Sequence, residues 1–145
     1  MNRKFDVKKS FWLIVSAALM VGNMATAGQT IEGKARAIDG DTILVAGVKV
    51  RLNGVDAMEL GTQAGQQAKA ATSKIVHRKN VTCELNGERS YDRMIGVCYA
   101  NSEDVAAVLI ANGYALDCAR YSGGRYKKYE TRAARSRLAQ ANYCR

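Results

Sequence analysis

Asp41 follows an Asp39-Gly40 turn, Arg51, Asp56 and Glu59 fall within nine residues of one another, and Arg93 stands further along the chain. A carboxylate can hold a hard cation or take a proton from water, and a guanidinium can bond two phosphate oxygens at once. Phosphodiester hydrolysis needs those parts: a grip on the phosphate, help for the attacking water, and positive charge against the negative charge that builds up. Singly, each residue has an ordinary explanation. Asp-Gly-Asp-Thr is a common hairpin turn, a strand arginine is usually a solvated edge residue, and a Glu ahead of a helix is a favourable charge near its N-terminus. Other chemistries lack their parts. His77 is the only histidine, which excludes two-His metal motifs and argues against Ser-His-Asp catalysis; it reads as a surface or packing residue. None of the four cysteines stands in a Cys-x-x-Cys pair, which argues against zinc.

The elements that must position this set divide into two halves. Residues 31–38, 42–45 and 48–52 read as short strands joined by the Asp39-Gly40 and Ala46-Gly47 turns, a meander. From Gly61 to Arg78 the pattern turns helical, with Ala64, Ala68, Ala71, Ile75 and Val76 on one side. Residues 81–85 and 95–100 are two more strands around a polar loop. A second helix is expected to start with Ser102 as N-cap, to bury Val105, Val108, Leu109 and Asn112, and to end at Gly113. A last helix is expected from about Tyr126 to Ala141, with Tyr126, Tyr129, Ala133 and Leu138 inward. Five strands with interspersed helices predict an α+β fold, a small barrel with helices packed on it.

The chain of 145 residues has room for one such domain. Residues 1–27 read as a cleavable signal peptide: Arg3, Lys4, Lys8 and Lys9 precede the apolar run FWLIVSAALMVG, and Ala25-Thr26-Ala27 supplies the cleavage site. Residues 28–145 would then be an exported, periplasmic or secreted monomer with no stable membrane insertion. In an oxidising compartment four cysteines usually form two disulfides. Three connectivities are possible. Cys83 and Cys98 lie on strands flanking one loop and can face each other, which leaves Cys118 with Cys144 to tie down the last helix. The net charge is +9, and from Asp117 onward eight basic residues meet only Asp117 and Glu130. So basic an end suits a polyanionic partner, nucleic acid or an acidic polymer, and charge alone fits a solvated helix face equally well.

D-G-D-T (Asp39 to Thr42), R-L-N-G-V-D-A-M-E (Arg51 to Glu59), Y-D-R (Tyr91 to Arg93) and A-N-G-Y-A (Ala111 to Ala115) resemble, in order and spacing, the staphylococcal nuclease (thermonuclease) family. The resemblance spans roughly Ile31 to Leu138. It implies a five-stranded oligonucleotide-binding (OB-fold) barrel with three packed helices. It also implies calcium-dependent cleavage of DNA and RNA that leaves 3′-phosphates. Carried over by position, Asp41 and Asp56 look like carboxylate ligands of Ca2+, with the Ala57 carbonyl as a further ligand. Glu59 looks like the residue that orients or deprotonates water, and Arg51 and Arg93 like the pair that grips phosphate. Tyr91 and Tyr121 fall where the family places nucleotide-binding tyrosines.

Two departures stand out. Met58 replaces a proline before Glu59, which is expected to loosen that loop, and Asp92 replaces a glycine beside Arg93, where its charge is expected to weaken phosphate binding. Arg51 and Asp56 are also an odd number of residues apart, so a regular strand would send them to opposite faces. Gly54 between them permits the necessary bend. The reading is an exported metal-dependent nuclease. The alternative is a non-catalytic OB-fold module that binds nucleic acid or an acidic polysaccharide, although pure binding has no use for Glu59.

Overall fold

Exposed and half-buried side chains alternate along Thr30–Ala37, so the first strand, β1, has one wet face and one face toward the core. β2 (Thr42–Val45) and β3 (Val48–Leu52) continue the meander. Ala46 and Gly47 join them, both at positive φ, the two-residue loop whose twist suits a tight hairpin. The computed structural model describes residues 28–145, and the leader expected over residues 1–27 lies outside the described residues. β5 (Asn80–Ser90) pairs with β1 on one side and with β6 (Arg93–Ala100) on the other. A parallel pairing of β3 with β6, Val50 opposite Met94 and Arg51 opposite Ile95, then closes the ring. The five strands make the barrel of an OB-fold, and with the helices an α+β domain. Three shorter strands lie outside it: β4 (Val55–Ala57), β7 (Glu103–Asp104) and β8 (Ala115–Asp117).

Ile43, Val45, Val50, Leu52, Val81 and Leu85 fill the barrel and meet Val105, Leu109, Ile110 and Tyr126 from outside it. Helix α1 (Gln63–Val76) starts at Thr62, whose side chain accepts the Gly65 N–H. Helix α2 (Val105–Ala111) starts later than expected. Glu103 and Asp104 first pair with Tyr99 and Ala100 as β7, so Asp104 rather than Ser102 is the N-cap and accepts the N–H groups of Ala106 and Ala107. Its inner face is Val105, Ala106, Leu109 and Ile110, while Asn112 is exposed.

The last helix is not one piece. After the short α3 (Ala119–Ser122) the chain forms a 3-10 turn at Lys127–Tyr129, straightens at Glu130, and restarts as α4 (Arg132–Arg137). Glu130 breaks the helix because its side chain is committed elsewhere: it accepts the Asp117 N–H at 2.8 Å and pairs with Lys127 at 2.9 Å. Thr131 then caps α4 by accepting the Ala134 N–H. Tyr126, Ala134 and Leu138 are buried, whereas Tyr129 and Ala133 are exposed.

Both expected disulfides are present. Cys83–Cys98 joins directly opposed residues of β5 and β6. Cys118–Cys144 fastens the chain end beside α3, rather than α4 as expected. No helix among the described residues is long and apolar enough to cross a membrane.

Candidate active site

The barrel closure brings the two arginines together. Thr42 stands opposite Arg51 across β2–β3, and Arg51 opposite Ile95 across β3–β6. Arg93 is two residues before Ile95, so it shares that face. Asp41, one residue ahead of β2, is fixed by its carbonyl, which accepts the Leu52 N–H at 2.8 Å. Its carboxylate pairs with Arg51 through Oδ2 and accepts the Thr42 hydroxyl at 2.8 Å through Oδ1. Arg93 donates to Thr42 Oγ1 at 3.1 Å and lies 4.0 Å from Asp41 Oδ1. Ser90 steadies Arg93 from the far side, accepting at 3.0 Å through its hydroxyl. Asp41 thus sits between two guanidinium groups.

Asp56 reaches the same end of the barrel because the chain turns at Gly54, φ +72°. A side chain there would also strike Ser122, since a Cβ would stand 2.4 Å from the Ser122 Cβ. Beyond the turn, β4 is held antiparallel to β8, with Asp56 opposite Leu116 and Ala57 opposite Ala115. The A-N-G-Y-A stretch therefore serves the site indirectly, by leading α2 into the strand that carries β4. Asp56 is buried and accepts the Ala141 N–H at 2.8 Å. Burial pushes its carboxyl above the usual range; the Ala141 N–H and Arg51 oppose this, and the charges of Asp41 and Glu59 add to it.

Glu59 lies on the loop between β4 and α1. Its carbonyl accepts both the main-chain N–H and the hydroxyl of Thr62, at 3.0 and 2.8 Å, which ties the loop to the helix cap. Met58 packs against Leu116, Ala134 and Leu138, so an apolar anchor stands where the sequence led us to expect a looser loop. The loop also runs hard against the helix at Gly65, a position that sequence reasoning passed over.

An open cleft of about 960 Å³ gathers Asp41, Arg51, Ala57, Glu59, Tyr91, Arg93 and Tyr121 along its walls. Asp56 stands behind this surface rather than on it. Tyr91 is 93% exposed at the β5–β6 turn with φ +57°. Asp92 pairs with Lys49 and lies outside the cleft, and its carboxyl is held below the usual range chiefly by Lys49, with a smaller contribution from Arg93. Tyr143 also lines the cleft, and sequence reasoning missed it. The one signal was its place beside Cys144, whose partner Cys118 is three residues from Tyr121.

Among the described residues no three His, Cys, Asp or Glu side chains group as a metal site. The donors on offer are the carboxylates of Asp41 and Asp56 and the Ala57 carbonyl. They are all oxygens, as a hard cation prefers, and the raised Asp56 carboxyl, which burial causes first and the charges of Asp41 and Glu59 add to, is one that a bound cation would lower. In chemistry, the set fits a hard divalent cation.

A family model described as staphylococcal nuclease homologue matches residues 49–143. A succinoglycan biosynthesis protein, ExoI, of Rhizobium meliloti is 36% identical over 71% of this chain and 60% of its own length. An uncharacterized endonuclease of Haemophilus influenzae is 28% identical over 76% of this chain and 66% of its own. A probable staphylococcal-like nuclease of Oryza sativa is 27% identical over 79% of this chain and 22% of its own. The chain thus spans less than two thirds of the length of each of these relatives. With its barrel closed by β3 and β6 and its paired arginines beside a carboxylate, the chain belongs to the staphylococcal nuclease family.

Proposed function

We propose that residues 28–145 form an exported, calcium-dependent nuclease that hydrolyses phosphodiester bonds of DNA or RNA to 3′-phosphate products, residues 1–27 being its cleavable signal. The observation that carries this reading is Glu59 on the wall of the cleft that also holds Arg51 and Arg93. A carboxylate beside a phosphate site repels the ligand, so it weakens a mere binder; a hydrolase uses it to take the proton from water. Asp41 holds both guanidinium groups at one spot before substrate arrives, so much of their ordering cost is met in the free protein. Arg51 and Arg93 bond the phosphate oxygens and stabilise the charge that develops on them. Asp41, Asp56 and the Ala57 carbonyl would hold calcium, which when bound supplies positive charge to the phosphate and polarises water. Tyr91 and Tyr121 take the nucleotide.

The test is to incubate oxidised protein of residues 28–145 with DNA and with RNA, in calcium and in chelator, and to analyse the product ends. Cleavage in calcium alone, leaving 3′-phosphates, supports the reading. A relative named for succinoglycan biosynthesis, together with the basic end of the chain, favours a second one: a module that binds acidic polysaccharide or nucleic acid without cutting it. Retention of a polyanion with no cleavage under either condition would establish that second reading.

A further inference from the structure

Residues Gln140–Arg145 carry none of the motifs above, yet they reach the candidate active site at two points and brace the strand behind it at a third. Gln140 donates to the carbonyl of Asp117, the last residue of β8, at 2.8 Å. The Ala141 N–H donates to Asp56 at 2.8 Å, across 85 residues of sequence. Tyr143, in a 3-10 turn over Asn142–Cys144, forms part of the cleft wall. A short terminal turn of this kind would fray on its own. Here it is held by the buried Cys144, bonded to Cys118 at the start of α3. The segment is a hook with its barb in the cleft.

The barb has the chemistry of a base-binding surface. Tyr143 is 50% exposed and Tyr121 51%, although both belong to a cleft with polar walls. Their ring centroids are 6.5 Å apart and their planes meet at 59°, so they form a corner, with the Arg120 guanidinium 5.8 Å over the Tyr121 ring. The Tyr143 hydroxyl is close enough to the reacting groups to be influenced by Arg51, Asp56, Asp41 and Glu59, although partial burial is the main reason its pKa is raised. An aromatic corner beside two guanidinium groups offers a face for a base and a grip for its phosphate, and every nucleobase has a face that stacks on an aromatic ring.

We propose that the disulfide-anchored hook is a working part of the active site, and that Tyr143 binds the base of the nucleotide whose phosphate Arg51 and Arg93 grip. The proposal rests on the phosphodiesterase reading above. Nothing in it requires the hook to take part in the chemical step: it binds substrate and positions Asp56.

The experiment is calorimetric titration, in calcium, of a deoxynucleoside 3′,5′-bisphosphate and of the same sugar bisphosphate without its base. Wild type is expected to bind the nucleoside compound about tenfold more tightly than the base-less one. Tyr143→Ala should lose about that factor for the nucleoside compound and none for the base-less one, and Tyr143→Phe should keep both affinities. Cys118→Ser with Cys144→Ser should lose more than that factor for the nucleoside compound and some affinity for the base-less one as well, because release of the hook frees Asp56 along with Tyr143. Tyr143→Ala binding both compounds like wild type, or losing affinity for both equally, overturns the proposal. So does a wild type that binds the two compounds alike. A wild type that binds neither overturns the phosphodiesterase reading itself, and this proposal with it.

Discussion

Glu59 and Gly65 meet through the main chain: a Cβ on Gly65 would stand 1.9 Å from the Glu59 carbonyl oxygen and 2.7 Å from that of Met58. The first turn of α1 is therefore the floor on which the Glu59 loop rests. Glycine inside a helix ordinarily costs about 1 kcal/mol relative to alanine, so Gly65→Ala ought to stabilise an unencumbered helix. Here the added carbon has backbone in its way. We expect Gly65→Ala to lower stability by about 1–3 kcal/mol and to lower turnover through displacement of Glu59. Urea denaturation and rate assays on the same sample check both halves. An unchanged or raised midpoint would show that the loop is free to move aside.

Asp41 yields a second prediction, which differs from what an acidic cluster seen in sequence would suggest. Read alone, Asp41 and Asp56 look like repelling carboxylates, and losing one looks harmless to the fold. In the structure Asp41 is paired with Arg51, lies 4.0 Å from Arg93, and is largely buried, as both arginines are. Asp41→Ala leaves the two guanidinium groups without their direct ion-pair partner, with only the weaker influence of Asp56 on Arg51 remaining. A loss of about 1–3 kcal/mol is expected, along with loss of calcium-dependent activity. Stability equal to wild type, measured without calcium, would contradict the ion pair's structural role.

The residues that the structure gathers at the candidate site were more legible in the sequence than their supports. Asp41, Arg51, Glu59 and Arg93 announce themselves by residue type and spacing, and the odd interval from Arg51 to Asp56 called for the bend that Gly54 supplies. Gly65 gave no such signal, because its reason for being glycine is a contact with a loop six residues earlier. The Ala141–Asp56 hydrogen bond joins positions 85 residues apart and leaves no local pattern at all. The last helix failed for a related reason. Its apolar spacing suits one continuous helix, but the long-range bond from the Asp117 N–H to Glu130 outweighs the few tenths of a kcal/mol per residue that propensity supplies.

The two disulfides should separate in their effects. Cys83–Cys98 staples β5 to β6 and lies outside the cleft walls, and Cys118–Cys144 holds the hook. Each is expected to contribute about 2–4 kcal/mol of stability. Cys83→Ala with Cys98→Ala should therefore lower the melting temperature while leaving the rate per folded molecule unchanged. A fall in that rate, assayed well below the melting transition, would mean that the barrel strands transmit their loosening to Arg93.

Glu59 and the basic end of the chain should fail in opposite ways. In the proposed hydrolysis Glu59 would act when water is being deprotonated, so Glu59→Gln would remove an interaction that matters in the transition state more than in the bound ground state. A fall in turnover on the order of 10²–10³ is expected, with DNA affinity nearly unchanged. Arg93→Ala should also damage turnover more than binding, because Arg93 stands against Thr42 and Asp41 at the reacting end. Arg132 and Arg135 lie on α4, outside the cleft walls, with Arg135 3.8 Å from the buried Glu130 carboxylate. Their contribution to substrate is long-range charge. Arg132→Ala with Arg135→Ala should weaken binding and flatten its salt dependence while sparing turnover at saturation. Rates and affinities at two salt concentrations distinguish the cases. If Glu59→Gln cuts as fast as wild type, the proton acceptor lies elsewhere in the cleft, and the assignment of Glu59 is wrong.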